Sequence, residues 1–255
     1  MATSIMTTIG KTQRAYDFYQ KASIYIGIGQ TTAWSVETSP DAILESEEEI
    51  NELVAIKVIS TKKYVRAQTG GEIVFNGSEW TEVYAAEQTY TASTISFDTT
   101  GDTIDDSANS LPVFAVGHKI KVIGATNEGY YTVVTSTTAQ IAVAENLTTQ
   151  AAGTAYTVKS NIYTNDVSRI YYEGIFDYDN GTPDALPVDI TYRQIGLLEN
   201  PINSAEAICT GDVYLAASLS GTAEYPQGVL HYVDNRTPVT RSDSQRESLQ
   251  LILEF

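Results

Sequence analysis

The stretch that decides the fold is GVLHYVDNRTPVTRSDSQRESLQLILEF, residues 228–255. Its last seven residues read LQLILEF, in which the odd positions are apolar and Gln250 and Glu254 face the other way. A period of two is typical of a strand that buries one side. Because chain termini usually fray unless they are held, we expect this strand to be docked in a sheet.

The composition favours a mainly β protein that can bury its own core. Of the 255 residues, 42% are apolar and only 18% are charged, which argues against disorder. Seventeen tyrosines, together with many threonines and valines, favour strands over helices. The length is compatible with one large domain or with two smaller ones.

The charge argues against a nucleic-acid partner. The chain has 32 acidic and 15 basic residues, a formal net charge of -17, whereas phosphate binding needs clustered Lys and Arg. An evenly acidic surface keeps a protein soluble until it meets a specific partner.

The cellular setting follows from what the sequence contains. No 18 apolar residues run together and the N-terminus has no apolar core of signal-peptide length, so neither a membrane span nor secretion is supported. Cys209 is the single cysteine, so no intrachain disulfide can form, and we expect it to pack as a small hydrophobe. We expect synthesis in a cytoplasm.

The first part of the sequence predicts two short helices around a strand. Residues 11–22 place apolar side chains at steps of three and four, as an amphipathic helix does. Residues 24–29, IYIGIG, predict a strand whose two glycines leave one face bare, so that another backbone or ring can lie close upon it. Ser39 and Pro40 suit the start of a second helix over residues 39–53, and we interpret its acidic run as a solvated face.

Residues 90–160 predict an inserted module. They are rich in Thr, Ser, Ala and Gly and contain five or six short strands separated by turns, which is typical of a small barrel or sandwich. We therefore predict a β-sandwich-like host domain of residues 1–89 and 161–255, interrupted by a small β-barrel or sandwich module.

Motifs that would indicate cofactor or metal chemistry are incomplete. GIGQTT, residues 27–32, lacks the third glycine of a dinucleotide-binding loop. Asp177, Asp179 and Asn180 suggest calcium ligands, but the spacing does not fit an EF-hand, and Asn180 with Gly181 favours a hairpin. We predict no cofactor and no metal.

Catalytic motifs are equally incomplete. His118 and His231 each lie beside a strand-like run, where a structural histidine is common, and no nucleophile elbow is present. Carboxylates are abundant enough for a glycosidase pair, and nothing in the sequence points to one. We predict no catalytic residue.

The most unusual polar cluster is VDNRTPVTR, residues 233–241. Asp234 and Asn235 suit a turn, and Arg236 and Arg241 could form forked bonds to carboxylates. An internal network that fixes the entry to the last strand is favoured, and a partner contact is the alternative.

Two parts of the sequence resemble a known family. They are YRQIGLLENP at residues 192–201 together with the ending at 228–255, and, near the N-terminus, FYQKASIYIGIGQTTAWS at residues 18–35. These stretches resemble the baseplate wedge subunit of contractile-tailed, T-even-type bacteriophages. The family-pattern positions are Arg193, Gln194, Asn235, Arg236, Pro238 and Gln245. Residues 90–160 depart from that family and resemble a small β module found in many phage structural proteins.

The resemblance implies a non-enzymatic virion protein of the tail baseplate. It implies other wedge proteins as partners, with the tail fibre as a further candidate, and a homodimer within the assembly. We therefore predict a rigid adaptor without a cofactor, since virion assembly needs large stable interfaces. One alternative is a carbohydrate-binding or tail-fibre attachment protein with Tyr130, Tyr131 and Tyr156 as stacking platforms. Another is a wall-degrading enzyme.

Overall fold

The computed structural model describes residues 6–44, 46–124, 126–177, 189–242 and 245–255. The protein is mainly β, with three antiparallel sheets and one short N-terminal helix. That helix, α1, spans Thr8–Tyr19 and so lies three residues before the predicted position. The strands are β1 Ile24–Gly29, β2 Ala55–Val58, β3 Thr61–Ala67, β4 Ile73–Phe75, β5 Ser78–Glu82, β6 Gln88–Ala92, β7 Ile95–Asp98, β8 Thr103–Asp106, β9 Lys119–Ile123, β10 Gly129–Ser136, β11 Gln140–Val143, β12 Tyr156–Ser160, β13 Arg169–Phe176, β14 Ile190–Glu199, β15 Val213–Leu215, β16 Val229–Arg241 and β17 Glu247–Glu254. A 3-10 helix occupies Ala216–Ser218.

The chain divides into two units. Unit 1 consists of Met1–Tyr16, Lys63–Ile170 and Glu254–Phe255, and unit 2 of Asp17–Lys62 and Tyr171–Leu253. Unit 1 contains a seven-stranded sheet of order β6-β12-β9-β10-β11-β8-β7. It also contains strands β3, β5 and β4, which pair with one another in that order and belong to a separate sheet. Unit 2 contains a five-stranded sheet of order β15-β2-β1-β14-β16 and the neighbouring strands β17 and β13. The insertion of residues 90–160 into a host domain stays a prediction.

The seven-stranded sheet of unit 1 has one buried face and one exposed face. On β9, for example, Ile120 and Val122 are buried whereas Lys119 and Lys121 reach solvent. Alternation of this kind is what one covered face requires. The buried residues of these strands and their loops form one core: Ile95, Phe97, Ile104, Leu111, Phe114, Ile120, Val122, Tyr131, Val133, Ile141, Val143, Leu147, Tyr156 and Val158.

Strand β1 of unit 2 is buried along its whole length, between β2 and β14. A Cβ atom built on Gly27 would lie 2.5 Å from Cδ1 of Ile50, and one built on Gly29 would lie 2.5 Å from the carbonyl oxygen of Asn51. Side chains at these two positions would therefore clash. The face that the glycines leave bare is filled by residues 50 and 51, as the sequence predicted in general form.

The second predicted helix, over residues 39–53, is wrong, because the described part of that stretch forms no helix. The backbone N–H of Ile50 donates to the side chain of Gln227 at 2.9 Å, and that of Asn51 donates to Gln194 at 2.7 Å. In a helix, these two N–H groups would instead donate to the carbonyl oxygens four residues earlier in the chain. Tertiary hydrogen bonds and the burial of Ile50 on β1 outweigh local helix propensity here.

The C-terminal strand is docked in a sheet, as its alternation predicted. β17 neighbours β13, and Leu249 and Leu251 are only 3% and 1% exposed. The backbone N–H of Phe255 donates to the carbonyl of Ser168 at 2.9 Å. The last residue is therefore held by a backbone hydrogen bond.

Two further predictions concern the hairpin or calcium site near Asn180 and the absence of a membrane span. The hairpin at Asn180 and Gly181 and the calcium alternative at Asp179 lie outside the described residues. Among the described residues, no helix has the length and apolarity that crossing a bilayer demands.

Candidate functional site

Most of the family-pattern positions surround one long stretch of irregular backbone. This stretch, residues 30–54, joins β1 to β2, and its described residues form neither helix nor strand. We call it the connecting segment. Connections longer than about 12–15 residues without secondary structure are uncommon within a domain and are usually functional or disordered. Side chains of β14 and β16 fix this one in place.

Gln194 of β14 lies at the centre of the site and is fully buried. Its Oε1 accepts from the backbone N–H of Asn51 at 2.7 Å, and its Nε2 donates to Oδ1 of Asn235 on β16 at 2.8 Å. Nδ2 of Asn235 donates in turn to the carbonyl of Asp41 at 3.0 Å. Two amide side chains thus connect two strands to two points of the connecting segment.

Arg193, the preceding residue, fixes the first half of the connecting segment. Its Nε and Nη2 donate to the carboxylate of Glu37 at 2.6–3.1 Å, and its Nη1 donates to the carbonyl of Thr31 at 2.6 Å. A forked pair of this kind specifies orientation as well as distance. The hydrogen bonds from Arg193 lower the pKa of Glu37 below its usual value, so the pair stays charged at neutral pH.

Glu52 joins the two ends of the connecting segment. Its carboxylate accepts from the backbone N–H groups of Thr31 and Thr32 at 2.9 and 2.7 Å, and from both of their hydroxyls at 2.6 Å. These hydrogen bonds, led by that of the Thr31 side chain, lower the pKa of Glu52 to about 2. The backbone N–H of Gln30 also donates to the carbonyl of Asn51 at 2.6 Å. Hydrogen bonds therefore join the first residues of the connecting segment to its last ones.

The turn predicted at Asp234 and Asn235 is wrong, because both residues lie within the continuous strand β16 and pair with β14. The register then leaves Arg193 of β14 opposite residues 236–238, which form a bulge. Pro238 is compatible with this position because an edge strand does not need its missing N–H. The polar sequence therefore encodes a bulged edge strand.

The bulge of β16 holds Trp34, near the start of the connecting segment. Nε1 of the buried Trp34 donates to the carbonyl of Arg236 at 2.9 Å. The Arg236 guanidinium contacts the carboxylate of Asp234 on the same strand at 3.0 Å. The backbone of Arg236, rather than its charge, is what contacts the connecting segment here.

Gln245 does not join this site. Its backbone N–H donates to the carbonyl of Ser242, and its Oε1 accepts from the backbone N–H of Ser242, both at 3.2 Å. Gln245 therefore stabilises the chain locally between β16 and β17. The structure brings together Arg193, Gln194, Asn235 and Arg236, places Pro238 in the adjoining bulge and leaves Gln245 apart.

The outward side of the connecting segment exposes apolar side chains. Val36, Ile43 and Leu44 are 54%, 46% and 62% exposed. Close by in the chain, residues 46–49 and 51 line a cavity of about 450 Å³ together with residues 224–228. The segment is thus fixed on one side and open on the other.

The sequence did not reveal the residues of the connecting segment that complete this network. Glu37, Asn51 and Glu52 lie in or beside an acidic run that resembles a solvated helix face. The available signal was the bare face of β1, since Gly27 and Gly29 require some nearby backbone to cover them. That signal indicates that a cover exists and does not say which residues form it.

The stacking platform of the carbohydrate alternative is not formed as expected. Tyr131 and Tyr156 are buried in the core of the seven-stranded sheet, at 8% and 1% exposure. Tyr130 is exposed, with the ammonium of Lys121 at 5.4 Å from its ring centre. In the part of the chain that the structure describes, no group of three or more His, Cys, Asp or Glu residues is arranged to hold a metal.

Comparison with known proteins adds one match. Residues 1–105 match the family described as baseplate wedge 3 tail fiber network component. No curated protein matches the chain. The matched residues include β1 and the connecting segment but neither β14 nor β16, so the resemblance of residues 192–201 and 228–255 to a wedge subunit stays a prediction. Over residues 1–105, the chain matches a phage baseplate wedge subunit.

Proposed function

We propose that the protein is a non-enzymatic structural subunit of a phage tail baseplate and acts as a rigid adaptor between other baseplate proteins. The observation that supports this most directly is the family match over residues 1–105. The match covers the connecting segment, which is the most unusual feature of unit 2.

The physical character of the site supports attachment. Its polar side chains, the buried Arg193 and Gln194 and the half-buried Asn235, hold backbone and carboxylate groups of the same unit. A loop held in this way presents a fixed surface, and binding by a fixed surface avoids the ordering cost of a flexible one. Arg193, Gln194 and Asn235 therefore act on a partner indirectly, by setting the shape of the connecting segment.

The proposal includes a homodimer, or a complex with another wedge protein, and the tail fibre as a further partner. Sedimentation of the purified chain, alone and with each neighbouring tail protein, tests the first part. We expect a dimer or a complex. A strictly monomeric profile in every mixture contradicts the adaptor role.

The location is tested on the phage itself. We expect mass spectrometry of purified tails to find the chain in a fixed ratio to the other baseplate proteins. Inactivation of its gene is expected to give tails with incomplete baseplates. Complete, infectious particles that lack the chain would contradict the proposal.

A further inference from the structure

The connecting segment carries apolar side chains that the described part of its unit leaves about half exposed or more. Leu44 is 62% exposed, Val36 54% and Ile43 46%, and Tyr225, which lines the neighbouring cavity, is 52% exposed. Single exposed apolar residues are common, whereas several on one held loop, next to a cavity, are typical of an interaction surface. We call residues 35–44 and 46–49, together with Tyr225, the docking surface.

The charge of the docking surface is of one sign. Residues 35–49 contain six carboxylates and neither Lys nor Arg. Glu37 is paired with Arg193. The other carboxylates of this stretch that the structure describes, Asp41, Glu47, Glu48 and Glu49, form no ion pair with a described Lys or Arg. A ligand that covers the apolar side chains would come close to carboxylates that lack a cation.

The docking surface is held in its shape before any partner arrives. Gln194 holds the segment through its hydrogen bonds to Asn51 and Asn235. Arg193 holds it through its ion pair with Glu37. Gln227 contributes a second clamp, because its Oε1 accepts from the N–H of Ile50 at 2.9 Å and its Nε2 donates to the Ile50 carbonyl at 3.0 Å. Preorganisation of this kind raises affinity without adding contacts.

We propose that the docking surface binds a segment of another virion protein in which Lys or Arg side chains alternate with apolar ones. This deepens the proposed function, on which it rests, by naming the chemistry of the partner. Apolar contact with Leu44 and Ile43 supplies the affinity, and cations placed against Glu48 and Glu49 supply the specificity.

A second copy of the chain fits this surface poorly. Each copy has a net charge of -17, and a symmetric contact centred on this surface would place the acidic stretch against itself. Like charges that face each other across an interface cost affinity. The proposed homodimer therefore forms through a different surface.

Zero-length carbodiimide cross-linking of purified tails, read by mass spectrometry, tests the identity of the occupant. The reagent joins a carboxylate directly to a nearby lysine amine. We expect peptides that contain residues 46–49 to be joined to a lysine of a different virion protein. Cross-links only to other copies of this chain would overturn the proposal.

Hydroxyl-radical footprinting distinguishes a failure of the docking surface from a failure of the proposed function. We expect labelling of Leu44 and Tyr225 to fall at least about fivefold in tails compared with the free chain, since burial of an anchor excludes water. Val134, 47% exposed on β10, is the reference. If the chain is absent from tails, the proposed function fails. If it is present with Leu44 still labelled as in the free chain, only the docking surface is wrong.

Two variants complete the test. Ile43→Ser with Leu44→Ser removes the apolar anchors, and Glu48→Gln with Glu49→Gln removes the charge. We expect both to reduce incorporation into tails by about tenfold or more without changing the thermal midpoint, because all four residues are exposed. The matched controls, Val134→Ser and Glu128→Gln, are expected to incorporate normally. Equal incorporation of variants and controls overturns the proposal.

Discussion

Gln194 supplies hydrogen-bond partners to backbone that has no helix or strand of its own. Its amide is fully buried, and both ends are used, by Asn51 and by Asn235. A glutamine is suited to this position because it both accepts and donates, whereas a glutamate would only accept when ionised. The identity of this one side chain is therefore tied to the path of the connecting segment.

Replacement of Gln194 by alanine tests that dependence. The change leaves the N–H of Asn51 and the Oδ1 of Asn235 without these part-buried hydrogen bonds and removes the fully buried amide, and an unmet buried group costs about 1–3 kcal/mol. We expect a loss of at least about 2 kcal/mol in urea unfolding, with faster hydrogen exchange at residues 46–53. Thr240→Ala, which removes an exposed hydroxyl pair with Thr191, is the control and should stay within about 0.5 kcal/mol. Equal effects of the two substitutions would contradict the role given to Gln194.

We expect His118 to make the stability of unit 1 depend on pH. The imidazole is buried, its Nε2 has no hydrogen-bond partner among the described residues, and burial, followed by the charge of Arg66, lowers its pKa to about 4. The unfolded chain binds a proton near pH 6.5, whereas the folded one does so only near pH 4. Stability from this group is therefore full above pH 6.5 and falls as the pH drops towards 4, by up to about 3 kcal/mol.

The substitution His118→Gln isolates this contribution. We expect the difference in unfolding free energy between wild type and variant to shrink between pH 6.5 and pH 4, because only the wild type loses stability through this group. Denaturant melts at half-unit pH steps provide the measurement. A difference that stays constant over this range would show that His118 is not neutral in the folded chain.

At the scale of elements, β1 shows how a strand dictates what covers it. Gly27 and Gly29 on one strand, with Gly196 opposite Gly27 on β14, leave a shallow face into which Ile50 inserts. The alternation IYIGIG was enough to predict the strand and its bare face. The cover could not be predicted, because local propensity favours a helix in residues 39–53, whereas the hydrogen bonds that unwind it come from residues more than 140 positions away.

The contact between β1 and Ile50 is open to a double-mutant cycle. Gly27→Ala places a methyl group against Cδ1 of Ile50 and is expected to cost about 1–3 kcal/mol. Ile50→Val removes that Cδ1 and costs about 0.5–1.5 kcal/mol alone. We expect the double variant to be more stable than the sum predicts, by about 1 kcal/mol. Gly221→Ala, with open space around the position, is the control. Strict additivity of the two changes would mean that Ile50 does not lie on β1.

The same scale shows why β16 and β17 differ in how well sequence predicts them. In the last strand the odd positions from Leu249 onward are all apolar, so its period alone predicts it, and Leu249 and Leu251 are buried accordingly. In β16, Asp234, Asn235 and Pro238 each favour turns, yet they lie in one strand. Pairing with β14 on one side, together with a bulge and the position at the sheet edge, makes these residues compatible with a strand.

At the scale of the whole molecule, the seven-stranded sheet of unit 1 has the properties of a module that folds alone. All its strands lie within residues 88–160, and every member of its core cluster lies between residues 95 and 158. Other parts of unit 1 add hydrogen bonds: Nη1 of Arg66 donates to the carbonyl of Gly117 at 3.1 Å, and Oδ1 of Asn165 accepts from the N–H of Lys119 at 2.7 Å. These bonds join the module to its surroundings without contributing to its core.

Expression of residues 88–160 alone tests the predicted insertion. We expect dispersed amide resonances and a single cooperative thermal transition, because the core is complete within the fragment and about 70 residues with a closed hydrophobic cluster are enough to fold. The fragment should melt below the intact chain, since it lacks Arg66 and Asn165. Extension to residues 63–170 restores both partners and should recover most of that difference. A fragment of residues 88–160 that shows no cooperative transition, beside a folded 63–170 fragment, would mean that the boundary lies further out and that no independent module is inserted at residue 90.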